Sequence, residues 1–254
     1  MSLPIKDQIV IVSGAGRGLG AAIATAFARE GARVAINYRA SRQQAEALAE
    51  KIGSGAKAFQ ADMRSLAETE RLVEEVTTHF GAPTTVVHNA LADFSFNGDA
   101  RSKLDALSWA EMAMQLETAL QGALNLIQAA RPAMERAAFG RVVTIGTNLF
   151  QNPVVPYHDY TAAKAALLSL TRTAAAELGP LGITVNMVSG GLLRTTDASS
   201  ATPEAVFDII AANTPLRRVT TPDEAADAVL FFASPWARAV TGQNLIVDGG
   251  LVFG

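Results

Sequence analysis

Apolar residues in this chain fall into short dense runs, separated by longer stretches with helical spacing. Gln8 to Ser13, QIVIVS, is β-branched and apolar, the pattern of a strand buried on both faces. Comparable runs follow at RVAINY (Arg33 to Tyr38), KAFQAD (Lys57 to Asp62) and TTVVHNA (Thr84 to Ala90). Three more are RVVTIG (Arg141 to Gly146), ITVNMV (Ile183 to Val188) and NLIVDGG (Asn244 to Gly250). The stretches between them read as helices. AAIATAFARE stops at Gly31, and SRQQAEALAEKI closes at Gly53. Ser65 and Glu68 have the spacing of a capping box for a helix running to Phe80. Ser108 and Glu111 open one long helix that passes Ala130. Tyr160 to Leu178 is helical and ends at Gly179-Pro180. Thr221 and Glu224 form a further capping box, with Pro222 at the first helical position.

This alternation predicts an α/β protein: a Rossmann-type doubly wound parallel sheet of about seven strands, with helices on both faces. No linker or repeat divides residues 1–254, so one domain is expected. Two segments are long and irregular, LADFSFNGDARSKLDAL after the fourth strand and Leu192 to about Thr202 after the sixth. Both leave the carboxyl ends of strands, where open α/β sheets bind ligands, and loops of this kind act as lids.

Composition narrows the function. Hydrophobic residues make up 49% of the 254, enough for one large core, and the net charge of -3 offers no basic stripe for a nucleic acid. There is no cysteine, which fits a cytoplasmic location, and the three histidines (His79, His88, His158) are far apart, so no metal site is expected. No apolar run approaches the ~20 residues that span a bilayer, and the N-terminus lacks a signal-peptide pattern. No membrane partner is expected.

SGAGRGLG lies between the first strand and the first helix. Leu19 breaks a strict Gly-x-Gly-x-x-Gly count, but Gly14-x-x-x-Gly18-x-Gly20 fits a variant. In such a turn Gly14 permits the bend, Gly18 lets backbone approach a pyrophosphate, and Gly20 lets the helix pack on the strand. A dinucleotide site of the NAD type has a carboxylate about 20 residues on, at the ribose 2′-hydroxyl. Here strand two ends in Tyr38 followed by Arg39. A guanidinium suits a 2′-phosphate, and Arg17 in the turn adds a second positive charge. This favours NADP; the alternative is a solvated arginine at a helix start.

YTAAK places Tyr160 and Lys164 at i and i+4, on one face of a helix. An ammonium beside a phenol favours the phenolate and lowers its pKa from about 10. A tyrosine so tuned exchanges a proton with a carbonyl oxygen. Trp109, Phe94 and Phe96 sit in or beside the loop after strand four, either lining an apolar pocket or anchoring the loop.

These pieces, with HNA (His88 to Ala90), GRVVTIGT (Gly140 to Thr147), VNMVSGG (Val185 to Gly191) and TGQNLIVDGG, resemble the short-chain dehydrogenase/reductase family over nearly the whole chain. The likeness is greatest to its 3-oxoacyl-[acyl-carrier-protein] reductase branch. The resemblance implies a carbonyl or acyl-thioester substrate, NADP(H) as cofactor and a homotetramer. It also implies Tyr160 as general acid and Lys164 on the ribose. Asp62 and Met63 would lie at the adenine, Asn89 and Ala90 in the cofactor groove, and Leu193 and Thr195 near the nicotinamide.

The chain departs from the family at several points. The family's serine is Thr147, which keeps the hydroxyl. Leu91 and Gly190 replace a glycine and a proline. Where the family often has an asparagine in a proton relay, this chain has Ala119; Gln115, one turn earlier, is the candidate substitute. Ala119, Gly190 and Leu91 support a second reading, an NADP-binding sensor or interaction protein without catalysis. The presence of Tyr160, Lys164 and Thr147 favours the enzyme.

Overall fold

The computed structural model describes residues 2–53, 55–92, 94, 96, 97 and 101–253. Part of the loop after the fourth strand, Asp93, Ser95 and residues 98–100, therefore lies outside the described residues. Seven strands form one sheet: β1 (Ile9–Val12), β2 (Arg33–Tyr38), β3 (Ala56–Gln60), β4 (Thr85–His88), β5 (Gly140–Thr147), β6 (Ile183–Gly190) and β7 (Asn244–Val247). Their order is β3-β2-β1-β4-β5-β6-β7 and every pairing is parallel. The strand order reverses between β1 and β4, which opens a crevice at their carboxyl ends.

The helices are α1 (Gly18–Arg29), α2 (Arg42–Ile52), α3 (Leu66–Phe80), α4 (Trp109–Leu116), α5 (Gly122–Ala137), α6 (His158–Leu178), α7 (Glu204–Asn213) and α8 (Pro222–Ala233). One core layer packs Ile23 and Phe27 of α1 with Val229 and Phe232 of α8 against the sheet. The other packs Leu72 and Val76 of α3 with Leu126 and Met134 of α5 against the opposite face. All four residues of β1 are buried, as helices on both faces require.

The expected capping boxes at Ser108 and Thr221 are complete. At Ser65 only half forms. Its hydroxyl accepts from the Glu68 N–H, but the Glu68 carboxylate accepts from the N–H of Asp62 instead. The expected long helix is two helices. A five-residue π turn, Glu117–Gln121, separates α4 from α5. Such a turn widens the helix and turns a backbone carbonyl outward for other donors; here the Thr118 carbonyl bonds a ring nitrogen of His88. Helix α7 falls just beyond the segment expected to be irregular.

Candidate active site

A groove of about 450 Å³ runs over the carboxyl ends of the strands. The glycine turn forms one wall. Gly18 has φ +56°, a left-handed conformation that favours glycine, and a side chain at Gly20 would collide with the Gly14 carbonyl and the Asn89 amide. Asn37 holds the turn from below, its carbonyl accepting from the Gly14 N–H at 3.2 Å and its amide donating to the Ala61 carbonyl at 3.0 Å. Asn89 donates to the carbonyls of Ser13 and Gly14. A close backbone cradle at a helix N-terminus suits a pyrophosphate.

Gly14, Arg17, Gly18, Leu19, Gly20, Arg39, Asp62, Met63, Asn89, Ala90, Leu193, Tyr160 and Lys164 all line this one groove, although they come from six separate stretches of chain. Two expected cofactor residues do not. Tyr38 is buried in the core, because side chains alternate along β2 and Asn37 takes the groove side. Thr195 is exposed off the groove, where Leu193, Thr196 and Asp197 face it instead.

The two ends of the groove differ in charge. Arg39 is exposed and its guanidinium has no hydrogen bond or ion pair among the described residues. Asp62, nearby, is held by Arg64 through several hydrogen bonds, which keep its carboxyl below the usual range. Arg17 pairs with Asp197 across the mouth at 3.3 Å. Arg194 pairs with Glu204, and Arg101 with the buried Asp159.

Tyr160 and Lys164 project from the first turns of α6 beneath β5, both buried. The Lys164 ammonium donates to the Ile145 carbonyl at 2.7 Å, and burial lowers its pKa to about 8. The Tyr160 phenol runs against expectation. Burial pushes its pKa up to about 12, and a hydrogen bond with Thr147 opposes the rise. Lys164 stands 5.8 Å from the phenol ring centre, with its charge turned to Ile145. Thr147 itself is buried behind Tyr160, off the groove surface. Its hydroxyl also accepts from the Leu149 N–H.

Gln115 is buried but off the groove, with its amide nitrogen lacking a partner among the described residues, and it does not bond Lys164. Trp109 is 73% exposed at the start of α4 and is neither a pocket wall nor a core anchor. Phe94 and Phe96 do line the groove, packed with Tyr157 and Tyr160.

His88 is a residue whose part here its sequence context left unread. It is fully buried at the end of β4. One nitrogen, Nε2, faces the Thr118 carbonyl at 3.1 Å, and Nδ1 faces the Ser13 hydroxyl at 3.3 Å. A carbonyl only accepts, so Nε2 carries the proton and Nδ1 accepts from Ser13. The Ser13 oxygen in turn accepts from the N–H groups of Asn89 and Ala90. Burial holds the ring neutral, with its pKa lowered to about 3. The π turn and the cofactor wall are thereby joined.

A doubly wound sheet, a glycine turn at its switch point and a tyrosine-lysine pair on the facing helix define the short-chain dehydrogenase/reductase family, to which this chain belongs. The family model that matches, over residues 14–252, is described as enoyl-(acyl carrier protein) reductase. Curated relatives carry a different name, 3-oxoacyl-[acyl-carrier-protein] reductase FabG. That of Staphylococcus epidermidis is 33% identical over 248 residues, 96% of this chain and 99% of the relative. That of Staphylococcus aureus strain Mu50 is 32% identical over 244 residues (95% and 96%). That of Escherichia coli K12 is 32% identical over 246 residues (97% and 98%). The protein is accordingly an oxidoreductase of the nicotinamide-dependent class. Among the described residues no cluster of His, Cys, Asp or Glu could hold a metal, and no helix is long and apolar enough to cross a membrane.

Proposed function

We propose that the protein is an NADP-dependent reductase of a carbonyl group, with a 3-oxoacyl thioester or related ketone as substrate. The observation that carries this reading is the shared groove: Tyr160 and Lys164 line the same cavity as the glycine turn and Arg39, whose guanidinium has no partner among the described residues. Gly14, Gly18 and Gly20 would hold the pyrophosphate, Arg39 the 2′-phosphate, Asp62 and Met63 the adenine end, and Lys164 the ribose hydroxyls. The nicotinamide, when bound, supplies the hydride. Tyr160 gives its phenolic proton to the carbonyl oxygen, and the Thr147 hydroxyl steadies the phenolate that remains. The ammonium of Lys164 balances that charge once its bond to Ile145 gives way.

The names of the matching family and of the relatives point to two chemistries. Reduction of an enoyl double bond needs a group that steadies an enolate, whereas reduction of a ketone needs an acid at the oxygen that becomes the alcohol. The curated relatives, all named for 3-oxoacyl chemistry, support the ketone. The reading without catalysis draws on Ala119, Gly190 and Leu91 alone. NADPH oxidation with an acetoacetyl thioester, a crotonyl thioester and simple ketones separates all three. We expect turnover with the ketones and its loss in Tyr160→Phe. Turnover with the crotonyl thioester alone would overturn the assignment, and binding of NADPH with no turnover would favour the sensor.

We also propose a cytoplasmic homotetramer. The exposed apolar side chains of Trp109, Met114 and Leu124 on α4 and α5 support a subunit contact there. Light scattering that returns a monomer mass would exclude it.

A further inference from the structure

The groove reaches Tyr160 and the aromatic rings packed around it. Of the aromatic cluster around Tyr160, Phe94 and Phe96 line the cavity, while Tyr157, Leu149 and Val155 lie behind them. The Phe94 ring stacks on Tyr160 with centres 4.7 Å apart and planes 27° apart. The guanidinium of Arg101 lies 4.4 Å from the same ring centre, and the edges of Phe96 and Tyr157 close in at 5.1 and 5.3 Å. Arg101 is in turn bound to the carboxylate of Asp159, which is buried and immediately precedes Tyr160. Helix α6 thus carries both the acid and the anchor of the wall beside it.

Phe96 is fixed by its backbone. Its N–H donates to the Ala198 carbonyl at 2.9 Å, and the Thr202 hydroxyl donates to its carbonyl at 3.2 Å. The loops after β4 and β6 are joined at this point. Phe94, held by stacking and a cation, and Phe96, held by the two joined loops, both resist moving aside for a substrate. Among the described residues the arginines around this end, Arg17, Arg101 and Arg194, are each paired with a carboxylate, so a charged substituent would have to compete with Asp197, Asp159 or Glu204.

We propose that Phe94 and Phe96 form a fixed back wall that limits the substrate to an uncharged ketone with one short flank, of which an acetoacetyl thioester is the type. This deepens the carbonyl-reductase reading and rests on it. A carbonyl in reach of the Tyr160 phenol has the two rings directly beside it. The methyl end of an acetoacetyl group fits against them, and the thioester arm leaves by the open mouth. A longer acyl chain meets the wall.

The sign of the chain-length dependence tests this. In an open apolar pocket each buried methylene raises kcat/KM by about fourfold; against a wall it lowers it. N-acetylcysteamine thioesters of acetoacetate, 3-oxohexanoate and 3-oxooctanoate would be compared by NADPH oxidation. For the native protein we expect kcat/KM to fall at least about tenfold from acetoacetyl to 3-oxooctanoyl. In Phe94→Ala, and more weakly in Phe94→Leu should the alanine variant fold poorly, the ratio of 3-oxooctanoyl to acetoacetyl activity should rise at least about tenfold. A native kcat/KM that climbs with chain length, or variants that slow every thioester by the same factor, would overturn the wall. If none of the thioesters is reduced, the reductase reading fails by itself. The wall is then judged by calorimetry with the 3-hydroxyoctanoyl and 3-hydroxybutanoyl thioesters: selective tightening of the longer one in Phe94→Ala supports it, and equal change overturns it.

Discussion

Arg39 and Arg101 both stand beside the groove, in opposite circumstances. Arg39 is exposed, and its guanidinium has no partner among the described residues. Arg101 is mostly buried, clamped to Asp159 and set over the Phe94 ring. The same side chain does two jobs. Where a guanidinium is left free in a groove, it is available to an anion that arrives. Where it is neutralised by a buried carboxylate, it fixes a loop. The end of the groove at Arg39 therefore presents a charge, and the end at Tyr160 presents aromatic rings held by a neutralised cation.

The comparison is broken most severely at the catalytic end. Tyr160→Phe keeps the ring and its stacking on Phe94 and removes only the hydroxyl. Loss of a general acid costs about 10²- to 10⁴-fold, so kcat/KM for acetoacetyl thioester should fall by that amount with NADPH affinity held. A variant that kept more than a third of native activity would end the assignment of Tyr160 as the acid.

At the open end, Arg39→Ala should cost affinity for one cofactor only. A charge-assisted bond to phosphate is worth about 1.5–3 kcal/mol, so preference for NADPH over NADH should drop about 10- to 100-fold. NADH kinetics should stay within about twofold. Equal losses for both cofactors would show that Arg39 supports the loop and not the 2′-phosphate.

Lys164 joins the two ends. Its pKa, lowered by burial to about 8, places the loss of its charge within reach of an assay. The ammonium is the state that balances a developing phenolate. Below pH 8 it is present and kcat/KM for reduction should be level. Above pH 8 the rate should fall by about tenfold per unit as the proton leaves. A profile still level at pH 9.5 would place the Lys164 pKa near that of a free lysine.

Most of the fold was legible because its signals are local. β1 reads as IVIV because both its faces are covered, and Thr221 with Glu224 reads as a cap because both partners lie within four residues. The misreadings come where local signals compete or where distance enters. Glu68 has the spacing of a capping box, but the Ser65 N–H is already donated to the Asp62 carbonyl, and the carboxylate accepts from Asp62 N–H near the start of the loop instead. The π turn spans only five residues of an unbroken run of helix formers, too short a change of period to stand out from the helical pattern on either side. Tyr38 stands at the expected distance from the glycines, but strand alternation gives the groove to its neighbour Asn37. The Arg101-Asp159 clamp joins residues 58 apart, and nothing near either one announces the other.

The smallest effect concerns His88, which ties the π turn to the cofactor wall. Its hydrogen bonds require the neutral ring with the proton on Nε2, because Thr118 offers only a carbonyl. The folded protein holds its pKa near 3, while an unfolded chain protonates a histidine near 6.5. Between those values the unfolded state binds a proton that the folded state refuses. Stability contributed at this position is therefore complete above about pH 6.5 and lost as pH falls below it. At pH 5 the loss amounts to about 2 kcal/mol. His88→Gln offers an amide donor that does not titrate. Urea midpoints for the native protein and the variant, taken at pH 7 and pH 5, isolate this share as a difference of differences. The native protein should lose about 2 kcal/mol more than the variant over that interval. Equal losses would mean that the histidine accepts a proton in place, and that the link between Thr118 and Ser13 survives with a charged ring.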